Sequence, residues 1–191
     1  MKGWANLDFC TNQLMKRFIV CQPPFPFLFD LMGNNAISRI MIRKATIKDI
    51  KAIHELLQEY GDKGELLPRP LSVLYDHVRD FSVYVDDKKD RVLGCCALQF
   101  CWENLAEIRS LAVHPEYQRK KIGSKLTETV LEEAKSFAIK EIFVLTYQPG
   151  FFERFGFFEI DRSQLPLKIW ADCITCVKFP DCDETAMMKE L

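Results

Sequence analysis

No apolar run in the sequence reaches the roughly 20 residues that a membrane-crossing helix requires. The nearest approach, within residues 16–32, is broken by Pro23, Pro24 and Pro26, and the part before those prolines is too short for a secretory signal. No membrane partner is expected, and the chain is expected in the cytoplasm. An excess of either charge is also missing: 26 Lys and Arg face 27 Asp and Glu, for a net charge of −1. A protein that holds nucleic acid through its phosphates is usually basic overall, so nucleic acid is not expected as a partner. No internal repeat and no low-complexity tract interrupts the chain. Cysteine, by contrast, is present eight times. With no export signal these read as reduced thiols, and the adjacent Cys95 and Cys96, set in an apolar run, read as core residues.

At 191 residues the chain has the length of one domain. The patterning begins near Met41. Residues 1–40 are expected to be an N-terminal extension, disordered or dispensable, or to lie upstream of a true start at Met41; residues 41–191 are the expected folded domain. Met41–Ala45 reads as a strand, and Thr46 with Asp49 as a capping box. Ile50, Ile53, Leu57 and Tyr60 recur at helical spacing, and Gly61 ends the run. Leu71, Leu74 and Val78 mark a second helix. Strands are predicted over 81–85, 91–102 and 105–113, a helix over 123–137, a buried strand over 141–147, a short helix after Pro149 and a last strand after Phe157. Short turns make the central strands antiparallel, whereas the long crossover from 105 to 147 permits parallel pairing. The class is α/β, a mixed and mostly antiparallel sheet with helices packed on it.

The chemistry concentrates in one turn. A strand ends at Val113, and the loop before the next helix carries Gln118, Arg119, Lys120, Lys121, Gly123, Ser124 and Lys125. A helix N-terminus presents unpaired N–H groups and a partial positive charge, so it attracts anions, and four cations beside it would make a pyrophosphate cradle. A solvated basic turn is the alternative.

Together with its neighbours, this turn resembles the acetyl-CoA motif of the GNAT superfamily, Q/R-x-x-G-x-G/A, here Gln118, Arg119, Lys120, Lys121, Ile122 and Gly123. Phe152 to Phe157 resembles that family's late Y-x-x-x-G-F signature. The resemblance implies the GNAT fold, with helices on both sheet faces, and acetyl-CoA as co-substrate. The cofactor would be bound by Leu111, Ala112 and Val113 through their backbone and by Gln118 to Ser124. Two positions depart from the pattern. Lys121 stands where the family has glycine, at a cost of roughly 1–2 kcal/mol if φ is positive there. Phe152 stands where it has the tyrosine that often protonates the leaving thiolate. Tyr147 is the phenol available for that task, or else an aromatic packed at a strand end.

Acetylation requires a neutral amine and therefore a base. Glu107 is the candidate, on a strand face expected to be shared with Arg109, Leu111 and Val113; a salt bridge to Arg109 is the alternative. Residues 64–81 and 165–184, with Thr146–Phe157, resemble short single-domain amino-acid N-acetyltransferases related to N-acetylglutamate synthase. This resemblance implies transfer to the α-amine of an amino acid, L-glutamate, for arginine biosynthesis. Two carboxylates would call for cationic anchors, for which Arg69, Arg109 and Lys168 are candidates. Another small amine, a protein N-terminus or a GNAT-fold module without turnover are the other readings, and a homodimer is left open. Cys173, Cys176 and Cys182 have the spacing of part of a structural zinc site, lacking a fourth ligand such as His77, Asp183 or Cys101; unmetallated thiols are the alternative.

Overall fold

Residues that alternate apolar and polar, or that run apolar throughout, pair into one large sheet in the computed structural model, which describes residues 40–86, 91–166, 169, 174, 178 and 181–191. The strands are β1 (Ile40–Lys44), β2 (Phe81–Asp86), β3 (Arg91–Phe100), β4 (Leu105–Val113), β5 (Glu141–Thr146), β6 (Phe158–Glu159) and β7 (Thr185–Glu190). They lie in the order β1-β2-β3-β4-β5-β7-β6. Among the described residues only the β4–β5 pairing is parallel. The sequence reading missed β7, because its run of Thr, Ala, Met, Met, Lys and Glu has neither clean alternation nor β-branched density. Its position supplies what its composition lacks: it pairs with β5 on one side and β6 on the other, burying Ala186 and Met187.

The helices cover both faces. On one, α1 (Ile50–Gly61) buries Ile50, Ile53, Leu56, Leu57 and Tyr60 against Val83, Val85, Cys95 and Ala97. The shorter α2 (Leu71–Asp76) buries Leu74 but leaves Leu71 exposed, and Val78, read as part of the same helix, falls in a separate 3-10 turn. On the other face α3 (Ile122–Ser136) packs Leu126, Val130, Leu131 and Ala134 on Leu93, Cys96 and Ile108, beside Phe152 of α4 (Pro149–Glu153). The two faces take alternate residues of the central strands, as a period of two requires.

Two irregularities position the site. β4 and β5 pair only through Leu105–Glu141, Ala106–Ile142 and Glu107–Phe143, and no registered partner follows, so the strands part toward their C-terminal ends. Within β4, the register with β3 slips: two steps from Cys95 to Ala97 face three from Ala112 to Arg109. The extra residue is a bulge at Ser110, whose φ of 53° lies in the left-handed region. The bulge corrects the expectation that Glu107, Arg109, Leu111 and Val113 share a face. Ile108, Leu111 and Val113 all pack with the α3 core, while Arg109 lines a hollow beside α2. The Cys95 thiol donates to the Ser110 carbonyl at 3.4 Å, and burial, raising its pKa to about 12, keeps that donor protonated. Opposite Val113, a Cβ on Gly94 would stand 3.0 Å from the Ala112 carbonyl oxygen and 3.1 Å from Leu126, so only glycine lets α3 approach the sheet here.

The entry to α1 is fixed by one carboxylate. Asp49 accepts from both Arg43 guanidinium nitrogens at 2.7 and 2.9 Å, and from the Thr46 N–H and hydroxyl at 2.7 and 2.8 Å. Hydrogen bonds from Arg43, ahead of those from Thr46, lower its pKa to about 2. A lowered folded-state value means stability that is present above the unfolded pKa and lost as pH falls. The contribution should be about 2 kcal/mol at neutral pH and disappear between roughly pH 4 and 2. Urea unfolding of the wild type and Asp49→Asn at pH 7 and pH 2 should show the two stabilities converging at the acid end.

Candidate functional site

The parting of β4 and β5 opens a cleft of about 1160 Å³. One wall is β4 from Glu107 to Val113. The other is β5 from Val144 onward with the start of α4, and the first turn of α3 closes one end.

At that end the chain leaves β4 through a 3-10 turn, Pro115–Tyr117, and enters α3 with Arg119 at φ 59° and Lys121 at φ 63°. Lys121 thus occupies the left-handed conformation for which glycine is suited. It is the N-cap of α3, and its side chain does not cap that terminus, whose first N–H groups have no partner within the helix. A Cβ on Gly123 would meet nothing closer than the Phe151 ring at 3.6 Å. The protein's own packing therefore does not demand glycine at 123; its absent side chain leaves the helix start open to the cleft, as an anionic group there would require. Gln118, Arg119, Lys121, Ile122, Gly123 and Ser124 all border the cleft, as do Leu111, Ala112 and Val113. Lys120 does not, its ammonium standing 4.5 Å from the Tyr117 ring centre.

The turn has a support that the sequence reading missed. Tyr60, read there only as part of the apolar face of α1, donates its hydroxyl to the Val113 carbonyl at 2.5 Å and accepts from Gln118 Nε2 at 2.6 Å. Burial raises the phenol's pKa, against the hydrogen bond from Gln118. Its partners lie 53 and 58 residues away, so no local pattern could reveal them.

The charged candidates gather on the α2 side of β4. Glu107 is 6% exposed, and its Oε1 lies 3.5 Å from Arg109 Nε, so the salt bridge weighed from the sequence is formed. Arg109 also donates to the Gln99 side-chain oxygen. Arg69 borders both the main cleft and a small hollow that it shares with Arg109 and Ser110. Glu107, Arg69 and Arg109 are thus brought together; Lys168 lies outside the described residues. Across the cleft, Tyr147 accepts from Lys178 Nζ at 2.5 Å and donates to Asp183 at 2.9 Å. Burial raises its pKa, with Lys178 opposing. Phe152 is buried against Phe151 and Phe157, leaving no hydroxyl at that position. Lys178 and Glu184, whose carboxyl pKa burial raises, border the cleft without having been anticipated, because the segment bearing them lacks regular patterning.

Cys182 donates to Glu184 at 3.6 Å; Cys173 and Cys176 lie outside the described residues. Among the described residues no group of three or more His, Cys, Asp or Glu is placed to hold a metal, so nothing there supports a zinc site. Nor is any described helix long and apolar enough to cross a membrane.

The sequence pattern of the Acetyltransferase (GNAT) family matches residues 50–157. The chain belongs to this family. It is an acetyltransferase built on the GNAT fold. An uncharacterized N-acetyltransferase of Chlorobaculum tepidum is 43% identical over 150 residues, 78% of this chain and 96% of that protein. An amino-acid acetyltransferase of Mycobacterium tuberculosis is 35% identical over 69% of this chain and 76% of its own length. Among solved structures, a Mycobacterium tuberculosis protein in complex with CoA and NLQ superimposes with a TM-score of 0.68 at 30% identity, covering 79% of this chain and 99% of its own. The N-acetylglutamate synthase of Neisseria gonorrhoeae, complexed with coenzyme A and N-acetyl-glutamate, gives 0.70 at 25% identity, covering 80% of this chain and 35% of the synthase.

Replacing Lys121 separates its two effects. Lys121→Gly should relieve the left-handed strain, about 1 kcal/mol, and raise Tm by roughly 2–4 °C. Losing one exposed charge contact, at most about 1 kcal/mol, should weaken CoA binding by up to roughly fivefold. Thermal unfolding and calorimetric CoA titration measure both.

Proposed function

We propose that this enzyme transfers the acetyl group of acetyl-CoA to the α-amine of L-glutamate, forming N-acetylglutamate in the cytoplasm as an entry to arginine biosynthesis. The observation that carries this reading is the grouping of Arg69 and Arg109 around Glu107 beside the cleft. Two guanidinium groups suit a dicarboxylate acceptor, and they oppose a polyamine, whose site would be acidic. The amino-acid acetyltransferases among the relatives support the acceptor class, and the N-acetylglutamate synthase structure supports glutamate within it.

The chemistry assigns each group a task. Glu107 takes a proton from the ammonium form of the α-amine, directly or through water, and the neutral nitrogen attacks the thioester carbonyl. Backbone N–H groups near Val113 stabilise the developing oxyanion. The nitrogen of the tetrahedral adduct gives its second proton to water, the carbon–sulfur bond breaks, and the departing thiolate takes a proton from Tyr147 or from water, leaving the amide and the free thiol. The open start of α3, with the backbone of Gln118 and the side chains of Arg119 and Lys121, holds the pyrophosphate of the donor.

Glu107→Gln should lower kcat by roughly 10²–10⁴ with CoA affinity little changed, and the acidic limb of the pH–rate profile should vanish. An active variant with an unaltered profile would return Glu107 to the salt bridge alone.

Arg69→Ala should raise KM for glutamate by roughly 10–150-fold, the loss of a charge-assisted hydrogen bond, while Arg109→Ala should also lower kcat, because Glu107 loses its neighbour. Comparing kcat/KM for glutamate and glutamine identifies which arginine holds the side-chain carboxylate. Effects below about threefold on both substrates would remove the two-carboxylate clamp.

A further inference from the structure

Tyr60 is the last buried residue of α1, and its hydroxyl reaches the cofactor end of the cleft. Both of its partners belong to the donor side: Val113 ends β4, and Gln118 opens the basic turn. The same Val113–His114 peptide is held from the other side, where the His114 N–H donates to the Leu93 carbonyl at 2.8 Å. The turn thus leaves a fixed point and runs directly into two residues with positive φ, Arg119 and Lys121. Non-glycine residues keep such conformations only where their surroundings hold them there. The Gln118 carboxamide, tied to a 7% exposed phenol, is the restraint next to the first of them. Tyr60 is itself fixed in depth. Its own carbonyl accepts from the Glu65 N–H at 3.0 Å, and at Gly61 a Cβ would come within 3.0 Å of Pro68, so the loop leading to Arg69 folds back on it.

We propose that Tyr60 is a positioning residue of the donor site: its hydroxyl fixes Gln118 and the Val113 peptide, so that the turn entering α3 is already shaped for the pyrophosphate of CoA. This rests on the acetyl-CoA reading of the cleft and not on the identity of the acceptor. Without the hydroxyl, the turn spends part of its time in other arrangements, and apparent affinity falls in proportion to the competent fraction. Such a role acts on binding of the donor and leaves the chemical step alone.

The experiment is calorimetric titration of CoA, with no acceptor present, into the wild type, Tyr60→Phe, Gln118→Leu and the double variant, with Tm recorded for each. Tyr60→Phe keeps the ring and its packing. Losing the hydroxyl's two hydrogen bonds should weaken CoA about 5–15-fold, within the range of one to two such bonds. The double variant should bind no more weakly than the worse single variant, because both act through one contact. In steady state, KM for acetyl-CoA should rise in parallel while kcat stays within about twofold. CoA affinity within twofold of wild type, single effects that multiply in the double variant, or a lowered Tm with unchanged affinity would each overturn the proposal. Should Tyr60→Phe fail to fold, Gln118→Leu decides alone, since it leaves Tyr60 bonded to Val113; unchanged affinity there overturns the proposal. A wild-type chain that does not bind CoA overturns the cofactor reading itself, which distinguishes that failure from the failure of Tyr60.

Discussion

Everything about the site depends on where β4 and β5 stop pairing. Two parallel neighbours in the middle of a sheet would ordinarily share hydrogen bonds along their length, yet here register ends at Glu107 and Phe143. Each strand keeps its outer neighbour, β3 for β4 and β7 for β5, so the parting does not dissolve the sheet. It leaves two facing edges of backbone donors and acceptors, which must find partners in water or in a ligand. Such edges match an extended chain that carries its own amide groups. The strand order produces the cleft, and the first turn of α3 supplies positive potential at the end it closes.

The bulge at Ser110 adds a second constraint, because it changes which way β4 points partway along. Before it, Arg109 turns toward α2, with Glu107 beside it; after it, Leu111 and Val113 turn toward α3. One strand therefore addresses both faces of the sheet within a few residues. A donor laid along the α3 side and an acceptor entering from the α2 side would meet at that crossing, which is where direct attack of one on the other needs them. The residue that makes the crossing adopts a left-handed conformation, and a buried thiol steadies its carbonyl.

How much of this could be read from the sequence follows from the range of the interactions. The face of α1, the extent of α3 and the strands through β5 were legible, since apolar spacing is a local signal and those segments carry it strongly. The basic turn and Gly123 were legible for the same reason, as a motif of contiguous residues. The bulge was not: Glu107, Ile108, Arg109, Ser110 and Leu111 look like regular alternation until the register with β3 is known. Tyr60 was seen as an apolar position because its ring is one, and only the fold shows what its hydroxyl touches. Lys121 was flagged as a departure from the glycine pattern, and its φ of 63° gives that departure a structural meaning. β7 escaped because its neighbours, and not its own composition, make it a strand.

The placement of β7 has a bearing on how the molecule is made. In chain order it follows β6, but in space it stands between β5 and β6. Until residues 185–190 arrive, β5 carries an unsatisfied edge holding Phe143 and Val144, both buried in the finished protein. An apolar edge of that kind is a template for pairing with another chain. During folding the protein is therefore most exposed to self-association late, after the strands that bound the cleft exist and before the insertion is complete. Substitutions in β7 that never touch the cleft would act there, lowering the yield of folded enzyme while leaving the turnover of each folded molecule unchanged.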